Sequence, residues 1–274
     1  MKVEVFLKSD AILGEGPLWD WRDNTLYWVD ILKGELHTVK GSSHVTYPSP
    51  KMISALGLRE DGGLVVSAYH DLYVWKNGRF SPLSALDTSE EVRFNDGKCS
   101  PWGDFWVGTM DLRETREIGS MYRFREGRFS LLHDGLIISN GLAWLGDTFF
   151  LVDSPKKSIF AFKWNGERLE PQGVAVKTSY LPGVPDGMTL DSTGLMWVAH
   201  YGGGVISVWE PFAEKPVQVI RLPVKIVTSL TFGGIDLREV FVTTSRREGE
   251  ELGGSVLRFE AENKGRPALV CNKL

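Results

Sequence analysis

Four side chains with oxygen donors occupy the same place in repeated stretches of the sequence. Glu15, Asn95, Asn140 and Asp186 each precede an apolar, aromatic-rich run by roughly eleven to thirteen residues, as in the stretch PDGMTLDSTGLMWVAH. Two carboxylates brought together would repel each other, and a bound cation would relieve that repulsion. Carboxylate and carboxamide oxygens suit hard divalent cations better than a thiolate-type zinc site does. The pattern predicts one divalent cation, with Ca²⁺ favoured over Mg²⁺, Mn²⁺ and Zn²⁺.

A structural explanation of the same residues competes with this one. Asn-Gly and Asp-Gly pairs are common in turns, because the Asx side chain satisfies its own backbone. A turn does not explain Glu15 at the equivalent position. The glycines that follow the candidate ligands, Gly16, Gly141 and Gly187, are expected to let the chain turn sharply beside the site.

The elements that would position these residues are short strands. Runs such as TLYWVD, DFWVGT and LMWVAH are rich in β-branched and aromatic residues, and each precedes a second, alternating run. Asn77-Gly78 and Asn165-Gly166 lie between such runs and predict hairpins. No helical periodicity of useful length is present. The chain is therefore predicted to be all-β.

The spacing of the repeats predicts the architecture. Equivalent positions recur every 39 to 46 residues, at Glu15, Ser54, Asn95, Asn140, Asp186 and Ser229. Periods of roughly 40 to 50 residues with several strands each are typical of propeller blades. We therefore predict one six-bladed β-propeller domain over residues 1–274. In such a ring the equivalent positions would converge at one mouth of the central channel. A pair of β-sandwiches is the alternative, but it predicts no common period.

Composition restricts the possible partners and the compartment. The 274 residues carry a net charge of −4 and contain no basic cluster, which disfavours nucleic acid as a partner. No apolar run is long enough for a signal sequence or a membrane span, so a cytoplasmic protein without a membrane partner is predicted. Two cysteines, Cys99 and Cys271, are too few for a disulfide framework. We expect reduced thiols, with a single Cys99–Cys271 bridge as the alternative.

Several long motifs resemble the SMP-30/regucalcin/gluconolactonase family. They are LGEGPLWD (13–20), RFNDGKCSPWGDFWVGTM (93–110), SNGLAW (139–144), PDGMTLDSTGLMWVAHYGGGVI (185–206) and VTSLTFGG (227–234). The resemblance covers nearly the whole chain in the same order. It implies a six-bladed propeller with one catalytic divalent metal in the central tunnel, and it implies metal-dependent hydrolysis of sugar lactones such as gluconolactone.

The resemblance also implies roles for individual residues. Glu15, Asn140 and Asp186 match the metal ligands, and Asp186 matches the catalytic aspartate. Asn95 and Arg93 match substrate-binding residues, with Asn95 near the metal. The sequence departs from the family pattern three places after GTM, where Arg113 replaces an acidic substrate-contacting residue and Glu114 is adjacent but not aligned.

Two other functions remain open at this point. One is a related propeller hydrolase that acts on another ester or on organophosphate-type phosphoesters. It would share the ring of metal ligands and differ in the residues that line the site around Arg113. A non-catalytic calcium-binding propeller or binding platform is the third possibility. Glu15 and Asp186 at one repeat position count against it, because a platform needs no convergent carboxylates.

Overall fold

The computed structural model describes residues 2–274, which form strands and turns and no helix. A short N-terminal strand, β1 (Glu4–Leu7), precedes six groups of strands. The first three groups are β2 (Gly14–Asp20), β3 (Thr25–Asp30), β4 (Glu35–Lys40) and β5 (Ser43–Pro48); β6 (Ile53–Arg59), β7 (Leu64–Ala68), β8 (Asp71–Lys76) and β9 (Arg79–Ala85); and β10 (Val92–Cys99), β11 (Phe105–Asp111), β12 (Gly119–Arg125) and β13 (Arg128–Leu136).

The remaining strands complete the set. They are β14 (Ser139–Leu145), β15 (Thr148–Asp153), β16 (Ser158–Trp164) and β17 (Leu169–Lys177); β18 (Val184–Leu190), β19 (Met196–Tyr201), β20 (Val205–Trp209) and β21 (Gln218–Arg221); β22 (Val227–Gly233), β23 (Glu239–Thr244) and β24 (Val256–Glu260); and the C-terminal β25 (Val270–Cys271).

Each group forms one antiparallel sheet, and the sheets form a ring. The first strand of each sheet contacts the first strand of the next, and β22 contacts β2 to close the circle. The sixth sheet contains only β22, β23 and β24 from its own repeat, and β1 pairs with β24 as its fourth strand. The molecule is a six-bladed β-propeller, as the repeat spacing predicted.

The hydrophobic core is divided among the blade interfaces. Six clusters of buried side chains each combine residues of two neighbouring blades. Most tryptophans lie there: Trp28, Trp106 and Trp209, for example, are fully buried. No blade buries its own faces, so the ring is stable only as a whole.

The hairpin predictions are confirmed in different degrees. Asn77-Gly78 forms a two-residue turn between β8 and β9, with both residues at positive φ. Asn165-Gly166 belongs to a longer loop between β16 and β17, in which the Asn165 side chain accepts hydrogen bonds from the N–H groups of Glu167 and Arg168.

The expectation of reduced thiols is wrong, because Cys99 and Cys271 form a disulfide. Cys99 lies at the end of β10, and Cys271 lies in β25, which adds to β6 as a parallel fifth strand. The sequence separation of 172 residues gave no indication that these two positions meet in the cluster between blades two and three.

The disulfide fastens a C-terminal strap, residues 264–273, across one end of the propeller. The strap forms main-chain or side-chain hydrogen bonds with all six blades, through Trp21, Gly103, Trp144, Ser192 and Leu237 and through the pairing of β25 with β6. These partners lie at the ends of the innermost strands or in the turns that follow them. The strap therefore closes the end of the channel opposite the beginnings of those strands.

Residues 2–274 include no helix with the length and apolar character that a membrane crossing requires.

Candidate metal centre

A break in strand pairing marks the candidate site in every blade. The register between each innermost strand and its neighbour shifts between Glu15 and Leu18, Ile53 and Ala55, Phe94 and Gly97, Asn140 and Leu142, Pro185 and Met188, and Val227 and Ser229. A bulge of this kind redirects side chains that a regular strand would alternate between its two faces. The six repeat positions therefore lie at or beside six bulges around one axis.

The glycines beside the ligand candidates have two different roles. Gly16 has a φ of 54°, in the left-handed region, as a sharp turn requires. Gly141 and Gly187 have no positive φ, so the prediction of a sharp turn is wrong for them. They permit close approach between blades instead: a Cβ on Gly141 would lie 2.7 Å from the Asp186 carbonyl oxygen, and one on Gly187 would lie 2.0 Å from Ser229 Oγ.

A chain of hydrogen bonds orients the polar side chains of blades three and four. Arg93 Nη1 donates to Asn95 Oδ1 at 3.0 Å, and Asn95 Nδ2 donates to Asn140 Oδ1 at 3.2 Å. Asn140 Nδ2 donates to Ser154 Oγ at 3.0 Å. All four side chains are buried. Outer partners of this kind fix which face of an amide presents its oxygen to a site.

Carboxylates crowd the same part of the channel. Burial and then repulsion from Asp96 raise the pKa of Glu15 to about 8. Burial, followed by the charges of Glu15 and Asp96, raises the pKa of Asp186 well above its usual range. Burial also raises the pKa of Asp96. Glu15 retains some accessible surface along the channel, although protein surrounds it. The charge of Asp96 thus disfavours ionisation of Glu15, and the charges of both disfavour ionisation of Asp186; a cation would reverse that effect.

The donor set is chemically suited to a divalent cation. Glu15 and Asp186 supply carboxylate oxygens, and Asn140 supplies an amide oxygen whose orientation Ser154 fixes. No group of three or more His, Cys, Asp and Glu side chains within residues 2–274 is arranged as a metal site without further donors. A cation held here would need at least one donor other than an acid, and the amide oxygen of Asn140 is of the kind that hard-cation sites commonly use.

The mouth above the carboxylates contains an acidic residue from the loop after β11. Glu114 has a φ of 59°, and its charge opposes the effect of burial on the pKa of Arg93. It also contributes to raising the pKa of Tyr201, after burial and Asp186. Arg116 anchors this loop through hydrogen bonds to Asp111. The neighbouring Arg113 is exposed, and its assignment to substrate binding stays a prediction.

A cavity of about 370 Å³ lies between the carboxylates and the strap. Leucines of the innermost strands and strap residues 266–269 form much of its wall, and Asp96 and Lys98 are its charged residues nearest the site. Glu15, Asn140 and Asp186 are not part of its lining. The cavity is thus the half of the channel nearer the strap, and the candidate ligands lie beyond it, toward the opposite mouth.

The family to which the chain belongs follows from a comparison over most of its length. Residues 13–246 match the model of the SMP-30/Gluconolactonase/LRE-like region. The chain belongs to the SMP-30/gluconolactonase/LRE-like family. This match spans all six innermost strands and every candidate ligand.

Individual members of the SMP-30/gluconolactonase/LRE-like family are similar over nearly their full length. The 6-deoxy-6-sulfogluconolactonase of Pseudomonas putida is 33% identical over 90% of this chain and 88% of its own. Human regucalcin is 32% identical over 95% and 92%. The crystal structure of a calcium-binding regucalcin from Agrobacterium tumefaciens superposes with a TM-score of 0.90 at 25% identity, covering 97% of this chain and 96% of the other.

Sequence reasoning missed three residues that the structure brings to the family's site region. Asp96 and Lys98 belong to the RFNDGK motif, and Glu114 lies beside Arg113, the position at which the sequence departs from the family pattern. A regular strand would point Asn95 and Asp96 to opposite faces. The Asp-Gly pair at 96–97 was the one available signal of a bulge that allows both to approach the channel.

Proposed function

We propose that the chain is a divalent-metal-dependent hydrolase that opens sugar lactones, gluconolactone among them. The observation that supports this most directly is the set of carboxylates Glu15, Asp96 and Asp186 beside the oriented amide of Asn140, in which Asp96 raises the pKa of Glu15 and both raise the pKa of Asp186 after burial. A relative named 6-deoxy-6-sulfogluconolactonase supports the substrate class. A binding platform would not require three acids that converge on the channel axis.

Glu15, Asn140 and Asp186 would hold the ion, with Asn95 beside it. A divalent ion at this point supplies a Lewis acid for the lactone carbonyl and increases the acidity of water. Ca²⁺ is the first candidate, because every donor is a neutral or anionic oxygen.

The side chains of this chain account for the proton transfers. Asp186 accepts a proton from the attacking water as the water oxygen bonds to the carbonyl carbon. The ring C–O bond then breaks, and the same carboxyl group returns the proton to the departing ring oxygen. Ligation keeps Asp186 ionised, as a base must be, but it also lowers its basicity.

Arg93 and Asn95 would orient the substrate. Their mutual hydrogen bond and their burial restrict both side chains, so little conformational freedom is lost when a sugar hydroxyl replaces a solvent partner. Glu114 at the mouth offers an acceptor for further hydroxyls. We propose that Glu114 provides the acidic contact to substrate that other family members have at the position aligned with Arg113.

A substrate panel tests the assignment. Pentono- and hexonolactones, a simple aryl ester and an organophosphate triester are offered to the calcium-loaded chain, and proton release is followed. We expect turnover of one or more aldonolactones well above that of the other substrates. Preferential turnover of the triester would instead assign the chain to the phosphoesterase alternative, and turnover of none would favour the calcium-binding alternative.

A further inference from the structure

Lys98 is a half-buried cation in the channel that the proposed mechanism leaves without a role. It extends from β10 in blade three, and its Nζ donates to the carbonyl oxygen of Leu142 in blade four at 3.0 Å. It also donates to the carbonyl oxygen of Met188 in blade five. These carbonyls belong to innermost strands, whose channel-facing edge has no strand partner. The ammonium group therefore joins three blades at the axis.

Lys98 lies close to the carboxylates in the channel. It lines one cavity together with Asp96, and the two carbonyls that it contacts belong to residues two places after Asn140 and Asp186. Burial lowers the pKa of Lys98, and the two charges that oppose this effect are those of Asp96 and then Glu15. In turn, Lys98 is the largest influence that favours the ionised form of Asp96. Arg93 and then Lys98 favour ionised Glu15. Hydrogen bonds to the two main-chain carbonyls alone would require only an uncharged donor, so the positive charge of Lys98 needs a separate explanation.

We propose that Lys98 is a fixed cation of the metal centre that adjusts the charge of the carboxylate group to that of one divalent ion. This inference rests on the metal in the proposed function. Glu15, Asp96 and Asp186 carry three negative charges when ionised, and Lys98 reduces the net charge to −2. At the mouth, Arg93 and Glu114 offset each other. A centre of charge −2 is neutralised by one divalent ion, whereas a centre of −3 would favour a trivalent ion.

Selectivity between Ca²⁺ and Tb³⁺ measures this directly, without reference to activity. The two ions have similar preferences for oxygen ligands but differ by one charge, so removing a nearby positive charge favours Tb³⁺ more than Ca²⁺. Two neutral variants, K98Q and K98M, remove the charge; Gln retains a hydrogen-bond donor and Met does not. K98R retains the charge. If one neutral variant does not fold, the other still shows whether the charge of Lys98 sets the selectivity between Ca²⁺ and Tb³⁺.

Arg266 provides a matched control within the same cavity. It also donates to main-chain carbonyls, those of Asp191 and Trp144, but it lies on the strap at the far end of the cavity. R266Q therefore removes a carbonyl-bonded cation without removing the one near the carboxylates. Its effect on ion selectivity should be small.

The experiment is a calorimetric titration of each metal-stripped full-length variant with Ca²⁺ and with Tb³⁺. We expect the ratio of the Ca²⁺ to the Tb³⁺ dissociation constant to rise about tenfold in K98Q and K98M, on the basis of Coulomb energies inside proteins. K98R and R266Q should stay within about twofold of the wild-type ratio.

Two results would overturn the proposal in distinguishable ways. If the wild type binds Ca²⁺ and hydrolyses lactones but the neutral variants keep its selectivity ratio, Lys98 is only a clamp between blades and the proposed function stands. If the wild type binds neither ion, the metal itself is refuted, and the role of Lys98 is refuted with it.

Discussion

At the scale of single residues, Asp186 carries two proposed tasks that a conservative substitution can separate. Asparagine has nearly the same shape and can still offer an oxygen to a cation, but it cannot accept a proton usefully. Asp186 is buried and shares its part of the channel with Glu15 and Asp96. Removing one charge there relieves repulsion, so the variant is expected to fold.

We predict that D186N binds Ca²⁺ more weakly and loses about 10²- to 10⁴-fold in kcat even at saturating metal, the range typical of a lost general base. Lactone hydrolysis across a calcium titration measures both effects. N95A is the control: its main effect should be a higher KM, with metal retained. Near-wild-type kcat of D186N at saturating calcium would show that Asp186 is a ligand and that another group is the base.

Glu15 gives a second residue-scale prediction, on pH and stability. Its pKa rises from 4.5 to about 8 on folding without metal. Between these values the native state binds a proton that the unfolded chain lacks, so the free energy of unfolding falls as pH rises, by about 1.4 kcal/mol per pH unit. Asp186, also raised, acts in the same direction.

The window from pH 6.5 to 8 isolates this effect from the histidines. His37 and His200 have folded-state pKa values lowered to about 3 and about 4, so their contribution varies mainly below pH 6.5. In EDTA we expect the wild type to lose about 2 kcal/mol across the window, and E15Q to lose clearly less. Denaturant unfolding at both pH values measures the slope. An equal loss in the two proteins would mean that Glu15 ionises normally.

The repeat period selected Glu15, Asn95, Asn140 and Asp186 together, because equivalent positions of a ring converge whatever their local geometry. The family resemblance then singled out Glu15, Asn140 and Asp186 as metal ligands, and that assignment stays a prediction. Asp96 and Glu114 could not be selected in this way. The first depends on a bulge, and the second on a residue at positive φ in a loop, and neither conformation follows from strand periodicity.

At the scale of elements, the innermost strands combine a bulge with close packing between blades. Gly187 is the tightest example, because a Cβ there would meet the Oγ, Cβ and Cα atoms of Ser229 in the next blade. Gly16 differs: its added Cβ would have no contact shorter than 3.4 Å, and its positive φ is the constraint. The two glycines therefore predict different costs for the same substitution.

We predict that G187A is the more damaging of the two, at about 2–3 kcal/mol or more, since backbone of the adjacent blade must move. G16A should cost about 1 kcal/mol, the usual penalty of a left-handed conformation for alanine. Denaturant midpoints of the two variants give the comparison. If G16A were equal to or worse than G187A, close packing between blades would not be what requires glycine at position 187.

At the scale of the whole molecule, ring closure and the strap make the propeller one cooperative unit. β1 completes the last blade from the N-terminal side, and the strap joins all six blades from the C-terminal side. The Cys99–Cys271 disulfide fixes the strap to blade three. The number of blades was predictable from the period, whereas the strap was not, because its sequence belongs to no repeat.

We predict that reduction of the disulfide lowers Tm by about 5–15 °C, from the roughly 2–5 kcal/mol typical of native disulfides and the Tm response of chains of this size. Thermal unfolding with and without a phosphine reductant measures the shift. The C99S/C271S double variant should unfold at the lower temperature and be insensitive to reductant. Two titratable thiols in the untreated native chain, with no Tm shift on adding reductant, would contradict the bridge.

In the proposed function, Glu15, Asn140 and Asp186 hold one divalent ion on which lactone opening depends. The most direct measurement adds Ca²⁺ stepwise to the metal-stripped chain while proton release from gluconolactone is recorded, with E15Q in parallel. We expect negligible hydrolysis above background without metal, an increase that saturates at one equivalent per wild-type chain, and much weaker recovery in E15Q. Full activity in the metal-stripped wild type, or a recovery unchanged in E15Q, would contradict it.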